Sequence, residues 1–405
     1  MLDIIDTLRD LIRIPSVNPM GRDVSGSEYY EQALTEHLER LFAHLNLPYE
    51  LHEVEPRRTN IIAQVDGQTR VDQSGQLIVF QAHQDTVPVE GMTIPPFEPD
   101  VREGRVYGRG SVDIKGGMAA MIAAVARLAE QRPDGMPNLV IACTVNEEHG
   151  FTGANHLTET WASGQSQLLP RRPDAIIVAE PTMLDIVVAH KGVLRWKCHT
   201  KGRACHSSQP DQGESAIYHM ARVVTALEEY ARDYVPNIGQ HPLVGQPTIS
   251  VGTITGGTSV NTVPDQATIE IDRRLLPGED PTEAQQHVIN FLSNRPSITQ
   301  PPKHDKPYLA TPSLSDEQNG PLADGLSQVA KSHGGSGQKI GVPYGTDAPW
   351  FARTGAPTVV FGPGSLEQAH TKDEWVAIDQ LERATEIYYQ FGRIGVPRNR
   401  HCADT

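Results

Sequence analysis

The stretch Leu77-Ile-Val-Phe-Gln-Ala-His-Gln-Asp85 opens with four apolar residues in a row and closes on polar side chains. A strand with one wet face alternates apolar and polar residues, so an unbroken run marks a strand covered on both faces. Leu139-Val-Ile-Ala-Cys-Thr-Val145, Ala175-Ile-Ile-Val-Ala-Glu180 and Thr358-Val-Val-Phe361 read the same way. Helical spacing separates them: Leu2, Ile5, Leu8 and Ile12 near the start, residues 118–130, and later 322–331 and 378–391. Buried strands alternating with helices predict an α/β fold whose mostly parallel sheet carries helices on both faces.

Residues 191–302 break this pattern. Leu194, Trp196 and Cys198 alternate with Arg195, Lys197 and His199, which predicts a half-buried strand and hence a different sheet. Ile217, Met220, Ala221, Val224 and Leu227 follow at helical spacing, then strand-like 248–254 and 267–275. Asp280-Pro281-x-Glu283 puts Asp at the N-cap and Pro at the first helical position, which starts a helix running to about Leu292. The order β-α-β-β-α predicts an α+β, ferredoxin-like domain with its helices on one face of an antiparallel sheet. Pro301-Pro302-Lys303 reads as the return linker, so 191–302 is inserted into a discontinuous domain made of 1–190 and 303–405.

A chain of 405 residues accommodates two such domains. Its 35 Gly and 31 Pro stay well below the ~25–30% that marks low complexity. The net charge of −15 argues against nucleic acid and anionic membranes, because both select a basic footprint. The longest apolar run, 118–126, spans nine residues, half of what a membrane crossing requires. Cys143, Cys198, Cys205 and Cys402 form no Cys-x-x-Cys pair, which points to reduced thiols. The N-terminus is acidic and periodic, without the basic start and apolar stretch of a signal peptide, so a cytoplasmic location is expected.

Ligands of open α/β sheets bind beyond the carboxyl ends of the strands, so the chemistry of those ends matters most. The first run ends in His83-Gln-Asp85, the second in Asn146-Glu147-Glu148, the third in Glu180-Pro181, and the fourth leads to His370. Gly108-Arg-Gly-Ser-Val-Asp113-Ile-Lys-Gly-Gly117, between the first two, adds a glycine-bracketed Asp. Carboxylates gathered at close range cannot all stay ionised without compensating positive charge, and a metal ion supplies it. Imidazole and carboxylate without thiolate suit zinc, with cobalt or manganese as alternatives, and suit calcium poorly. Five ligands suit two ions about 3.5–4 Å apart sharing one carboxylate, for which Asp113 is the natural bridge.

His83 and Asp85 lie on the same side of an extended segment, so Asp85 can accept a hydrogen bond from the N–H of the second imidazole nitrogen and fix the tautomer. Glu147 and Glu148 are adjacent and can both approach one site only from the loop beyond the strand. One can ligate while the other takes a proton from water. Arg109 and Lys115 are read as either solvated or steering an anionic substrate, and His149, His190 and His199 as ordinary polar residues. No Gly-x-x-x-x-Gly-Lys-Ser/Thr, Gly-x-Gly-x-x-Gly or Gly-x-Ser-x-Gly pattern occurs, which argues against a phosphate cradle and a serine nucleophile.

Set in order, Ile14-Pro-Ser-Val-Asn-Pro19, Ala82-His-Gln-Asp-Thr-Val-Pro88, the 108–117 loop, Asn146-Glu-Glu-His-Gly150, Ala179-Glu-Pro-Thr182, Arg203-Ala-Cys-His-Ser-Ser-Gln-Pro210, Gly257-Thr-Ser-Val-Asn-Thr-Val-Pro264 and Ala369-His-Thr-Lys-Asp-Glu374 span nearly the whole chain. This series resembles the M20 metallopeptidases and deacylases, a family that includes acetylornithine deacetylase, succinyl-diaminopimelate desuccinylase, aminoacylase and carboxypeptidases. The resemblance implies that His83 and Glu180 bind one metal, Glu148 and His370 the other, and that Asp113 bridges them. It puts Glu147 on the general base and Asp85 on the carboxylate that orients the histidine.

The same resemblance makes the inserted domain a lid and the contact of a homodimer, with His206 stabilising the oxyanion and Asn261 and Arg274 contacting substrate. Arg274 falls on the wet face of its strand if Ile269 and Ile271 face the core. Ala82 in place of the usual Gly, and a His at 149, are the departures. The implied activity is hydrolysis of an amide bond in a small N-acyl amino acid, nearest to acetylornithine deacetylase. Dipeptidase, carboxypeptidase and desuccinylase activities are the alternatives. A noncatalytic metal-binding protein would have lost the base or a ligand, whereas Glu147 and all five ligands stand.

Overall fold

Strand Leu77–His83 lies within an eight-stranded sheet in the computed structural model, which describes residues 2–397 apart from Ser74. The strand order is Tyr49–Glu55, Arg58–Val65, Asn138–Thr144, Leu77–His83, Ala175–Val178, Thr358–Val360, Ile186–His190 and Lys339–Val342. Leu77–His83 pairs in parallel with both Asn138–Thr144 and Ala175–Val178, and Thr358–Val360 continues the parallel set. The flanking pairs formed by Tyr49–Glu55, Arg58–Val65 and Ile186–His190 are antiparallel. Every residue of the four parallel strands is buried, which is why their sequences do not alternate. Parallel strands release their chains at one edge, so His83, the 146–148 turn and Glu180 emerge together.

Ile78, Phe80 and Ala82 pack into one core with helices Ile4–Arg13, Lys115–Gln131, Gly320–Ser332 and Ile378–Ile394. Val79 and Gln81 point to the other face and are as fully buried. Asp3 caps the first helix, accepting from the N–H groups of Ile5 and Asp6 at 2.9 Å. Among the described residues no helix is long and apolar enough to cross a membrane.

The chain divides into two compact units, and the second comprises Ala189–Ser315 with Gly341–Gly345. Its antiparallel sheet runs Thr248–Gly256, Gln266–Leu275, Gly192–Lys201 and Lys303–His304, with Leu309–Thr311 also paired to Gly192–Lys201. Leu194, Trp196 and Cys198 share one core with Ile269, Ile271 and the helices Ala216–Glu229 and Pro281–Ser293, so both helices cover one face. Asp280 caps the latter helix through the N–H groups of Thr282 (2.8 Å) and Glu283 (3.0 Å).

One boundary differs from the expectation. The return does not fall at residue 303, because Lys303–His304 and Leu309–Thr311 still bond to Gly192–Lys201 and keep the chain in the second unit to Ser315. Helix Ala216–Glu229 buries Ala216, Met220, Val223, Ala226 and Leu227 and leaves Ile217 40% exposed. Its sequence carries two overlapping apolar stripes at helical spacing, and the sheet takes the one that starts at Ala216.

Candidate metal centre

His83 is the last residue of its strand, and its ring points beyond the sheet edge. Nε2 lies 3.2 Å from Asp113 Oδ1, while Nδ1 faces the main-chain carbonyl of Asp85 at 2.9 Å and its carboxylate only at 3.5 Å. The carbonyl is therefore the nearer partner that fixes the ring. The Asp85 carboxylate instead accepts from the N–H groups of Glu147 and Glu148, both at 3.1 Å, and from Asn18 Nδ2 at 2.7 Å. The chain has left the strand by residue 85, so strand alternation no longer sets that side chain's direction.

Asp113 is carried by a loop wrapped around one buried carboxylate. Glu374 accepts from the N–H groups of Gly110 (3.0 Å), Val112 (2.9 Å) and Asp113 (3.1 Å) and pairs with Arg109 at 2.7 Å. Gly110 has φ +80°, and a Cβ there would meet Thr86 Cγ2 at 2.8 Å, so the turn admits only glycine. Arg109 and Lys115 are both buried, which overturns both readings given to them. Arg109 is spent on Glu374, and Lys115 Nζ donates to the carbonyls of Leu11 (3.0 Å) and Ile14 (2.7 Å), closing the end of the first helix. Burial pushes Lys115 down to about 7.

The Asp113 carboxylate stands between two imidazoles, with Oδ2 at 3.2 Å from His370 Nε2. His370 also approaches Glu148 Oε2 at 3.5 Å. Two overlapping groups result, His83–Asp113–Glu180 and Asp113–Glu148–His370, with ligand-capable atoms in each within 4.8 Å of one another. Glu148 Oε1 is buried and has no hydrogen-bond partner among the described residues.

Burial first, then mutual repulsion, holds Glu147 and Glu180 well above the usual carboxylate range and raises Glu148. Asp113 is buried too, but hydrogen bonds from His370 and His83 pull it down. The Asp113 and Glu148 carboxylates raise His370 to about 11. Buried carboxylates that cannot all ionise together, one of them with an unpartnered oxygen, are a donor set that a cation would satisfy. The donor set, two imidazoles and at least three carboxylates sharing Asp113, fits two divalent ions.

Residues 79–393 match the model of peptidase family M20/M25/M40. The chain belongs to this family. It is similar to the acetylornithine deacetylase of Vibrio vulnificus, 30% identical over 393 residues that cover 95% of this chain and 96% of the relative. It is 26% identical to a probable succinyl-diaminopimelate desuccinylase of Staphylococcus aureus, with 95% of each chain covered. The solved structure of a tripeptidase from Staphylococcus aureus superposes with a TM-score of 0.75 at 21% identity, covering 96% of this chain and 98% of that one, and so shares the fold. The protein is an M20-family metal-dependent amide hydrolase.

Three residues expected at an M20 site lie in the second unit. His206 is exposed, bonded through Nδ1 to Ser208 Oγ at 2.7 Å, and the neighbouring N–H of Ser207 donates to the carbonyl of Asn261 at 3.0 Å, so those two positions share one edge. Arg274 lies on the same face as Asp272, opposite the core, and its Nε donates to that carboxylate at 2.8 Å. Arg273 is buried on the core face, where Glu279 pairs with it at 2.7 Å. Cys143, Cys198 and Cys205 are free thiols, and Cys402 lies outside the described residues.

Several residues around the metal centre are not marked out by the sequence motifs. Asp347 is buried, accepts from Gln81 Nε2 at 2.7 Å and Thr144 Oγ1 at 3.1 Å, and is raised by burial to about 7. Glu31 and Arg58 form a buried pair that reaches the N–H of Asn146. Glu374 lies within a quoted motif but had been given no role. A lone charged residue at a turn or at the end of an element is the only sequence signal any of them carries.

Proposed function

We propose that the protein removes the acyl group from a small N-acyl amino acid, with N-acetylornithine the first candidate. The observation that carries this reading is the Asp113 carboxylate set between His83 and His370, at 3.2 Å from each. The likeness to a deacetylase along nearly the whole of both chains supports the substrate class.

His83 and Glu180 would hold one divalent ion, Glu148 and His370 the other, and Asp113 both. Zinc is favoured by the donor chemistry, with cobalt or manganese as alternatives. Bound there, the ions would polarise the amide carbonyl and make water acidic near neutral pH. Glu147, buried and fixed through its own N–H, takes the proton of the attacking water and later hands it to the leaving nitrogen. Asp85 keeps Glu147 and Glu148 in place by accepting their main-chain hydrogens, and its carbonyl holds the tautomer of His83. His206 supplies a donor for the developing oxyanion, and Asn261 and Arg274 receive the substrate's carboxylate.

The second unit, 189–315 with 341–345, acts as lid and dimer contact in this reading. Strand Thr248–Gly256 supports it, since among the described residues it has a ladder partner on one side only and leaves Ile254 61% exposed. A net charge of −15 and free thiols are in keeping with a cytoplasmic enzyme that binds neither nucleic acid nor membrane. Peptide or succinyl-amide hydrolysis is the second reading, favoured by the likeness to a probable desuccinylase.

The test is a panel of N-acetyl, N-succinyl and N-benzoyl amino acids with di- and tripeptides, offered to apo protein and to protein reloaded with zinc, cobalt or manganese. Metal-dependent release of ornithine from N-acetylornithine is expected. Turnover confined to peptides or succinyl amides would transfer the assignment to the second reading.

A further inference from the structure

The segment Ile14-Pro-Ser-Val-Asn-Pro19 takes no part in the chemistry described above, yet it runs along the main chain of the site. Thr86 N–H donates to the Ser16 carbonyl at 3.0 Å and Asn18 N–H to the Thr86 carbonyl at 2.8 Å, while Ser16 Oγ donates to the Gln84 carbonyl at 2.7 Å. These bonds present the fully buried amide of Asn18 to the turn that follows strand Asn138–Thr144. We propose that Asn18 is a positioning residue for the hydrolysis: by donating to Asp85 and Asn146 together, it fixes the turn that brings Glu147 and Glu148 into one site. This inference rests on the metal-hydrolase reading of the centre.

Neighbouring residues in an extended chain point to opposite sides, so two adjacent glutamates can serve one site only on a sharply turned backbone. The turn is made at Asn146, whose φ of +60° lies in the left-handed region that asparagine tolerates better than most residues. The N–H groups of 146, 147 and 148 are all claimed by carboxylates: Glu31 takes the first at 3.1 Å, and the two oxygens of Asp85 take the others at 3.1 Å each.

Each of those carboxylates is itself held from behind. Arg58 pairs with Glu31, and Asn18 Nδ2 donates to Asp85 Oδ2 at 2.7 Å. The same nitrogen donates its second hydrogen to Asn146 Oδ1 at 2.9 Å, and Asn18 Oδ1 accepts from Met20 N–H at 2.9 Å. Both hydrogens of the amide are committed to acceptors, so its orientation is fixed by chemistry. A carboxyl group there would serve one acceptor at most, protonated, and would face both as an acceptor when ionised, so it cannot replace the amide.

The experiment compares the full-length protein with Asn18→Ala and Asn18→Asp by cobalt and zinc affinity, the visible spectrum of the cobalt form, amide exchange over residues 145–150, and kcat and KM on the panel substrate that the wild type turns over. The expected result is a loss of about 10–100-fold in affinity for the more weakly held ion and in kcat, with KM nearly unchanged. The cobalt spectrum should shift, and exchange should quicken in 145–150 while the strand Leu77–His83 stays protected. Asn18→Asp, equal in size but able to supply at most one hydrogen to the two acceptors, should fall well below the wild type in all four readouts.

Wild-type affinity, spectrum and exchange in Asn18→Asp would overturn the proposal. Loss of protection across the whole parallel sheet would overturn it as well, since Asn18 would then serve the fold alone. Silence of the wild type on every substrate would count against the substrate assignment only, because metal affinity and exchange decide the role of Asn18 without turnover.

Discussion

Asp113 Oδ1 lies 3.2 Å from His83 Nε2 and Asp113 Oδ2 lies 3.2 Å from His370 Nε2, so one carboxylate serves two imidazoles that are 287 residues apart in sequence. A carboxylate shared in this way makes the two halves of the centre separable. His370→Ala should lower the metal content from two ions to one per chain, because His83, Asp113 and Glu180 remain together. Equilibrium dialysis followed by elemental analysis measures it, and two ions retained in the variant would remove His370 from the centre.

Glu147 is the carboxylate to which no ligand role falls. Glu147→Gln should keep both ions and lower kcat by about 10²–10⁴-fold, the usual yield of a positioned acid–base group. Parallel metal analysis and steady-state kinetics separate the two effects. Normal turnover with both ions bound would take the proton-carrying role from this residue.

Glu374 holds the loop that carries Asp113. Replacing it by Gln puts a donor against main-chain N–H groups and strands Arg109 in a buried place. Breaking a buried pair from one side costs about 3–5 kcal/mol, so Glu374→Gln should unfold at a markedly lower denaturant concentration. An unchanged midpoint would mean that the loop is secured by other contacts.

Acid sensitivity should arise in the second unit at His304. Trp196 Nε1 donates to His304 Nδ1 at 3.0 Å, which requires that nitrogen to stay unprotonated. Burial pushes His304 down to about 4 from its ordinary 6.5, with His199 adding to the effect and Asp305 opposing it. The unfolded chain therefore takes up a proton first as pH falls, so stability that is full above about pH 6.5 drains away toward about pH 4. His304→Asn keeps an acceptor for Trp196 and cannot titrate there. Its denaturation midpoint should drop less than the wild type's between about pH 7.5 and about pH 4.5; an equal drop would place the acid sensitivity elsewhere.

The sheet was legible because residues 77–83, 138–144 and 175–178 show no alternation, and covering both faces of a strand leaves no other pattern. The metal-capable residues were legible for a related reason, since parallel strands must deliver their carboxyl ends to one edge. What sequence could not display was the buried polar framework behind them. Asn18, Glu31 and Arg58 sit in local contexts that look like ordinary loop and edge chemistry, and only the fold brings them to residues 85 and 146. Arg109 and Lys115 read as either solvated or substrate-steering cations because nothing local announces that Glu374 and the end of the first helix will bury them. The helix at 216–229 offered two apolar stripes, and the choice between them was made by a sheet assembled from distant segments.

Anomalous diffraction from crystals of the zinc-loaded protein will show whether Asp113 joins a pair of ions. Two peaks about 3.5–4 Å apart, one on each side of the Asp113 carboxylate, are predicted. A single peak, or a pair that Asp113 does not touch, would mean that this carboxylate is not a bridge between two ions.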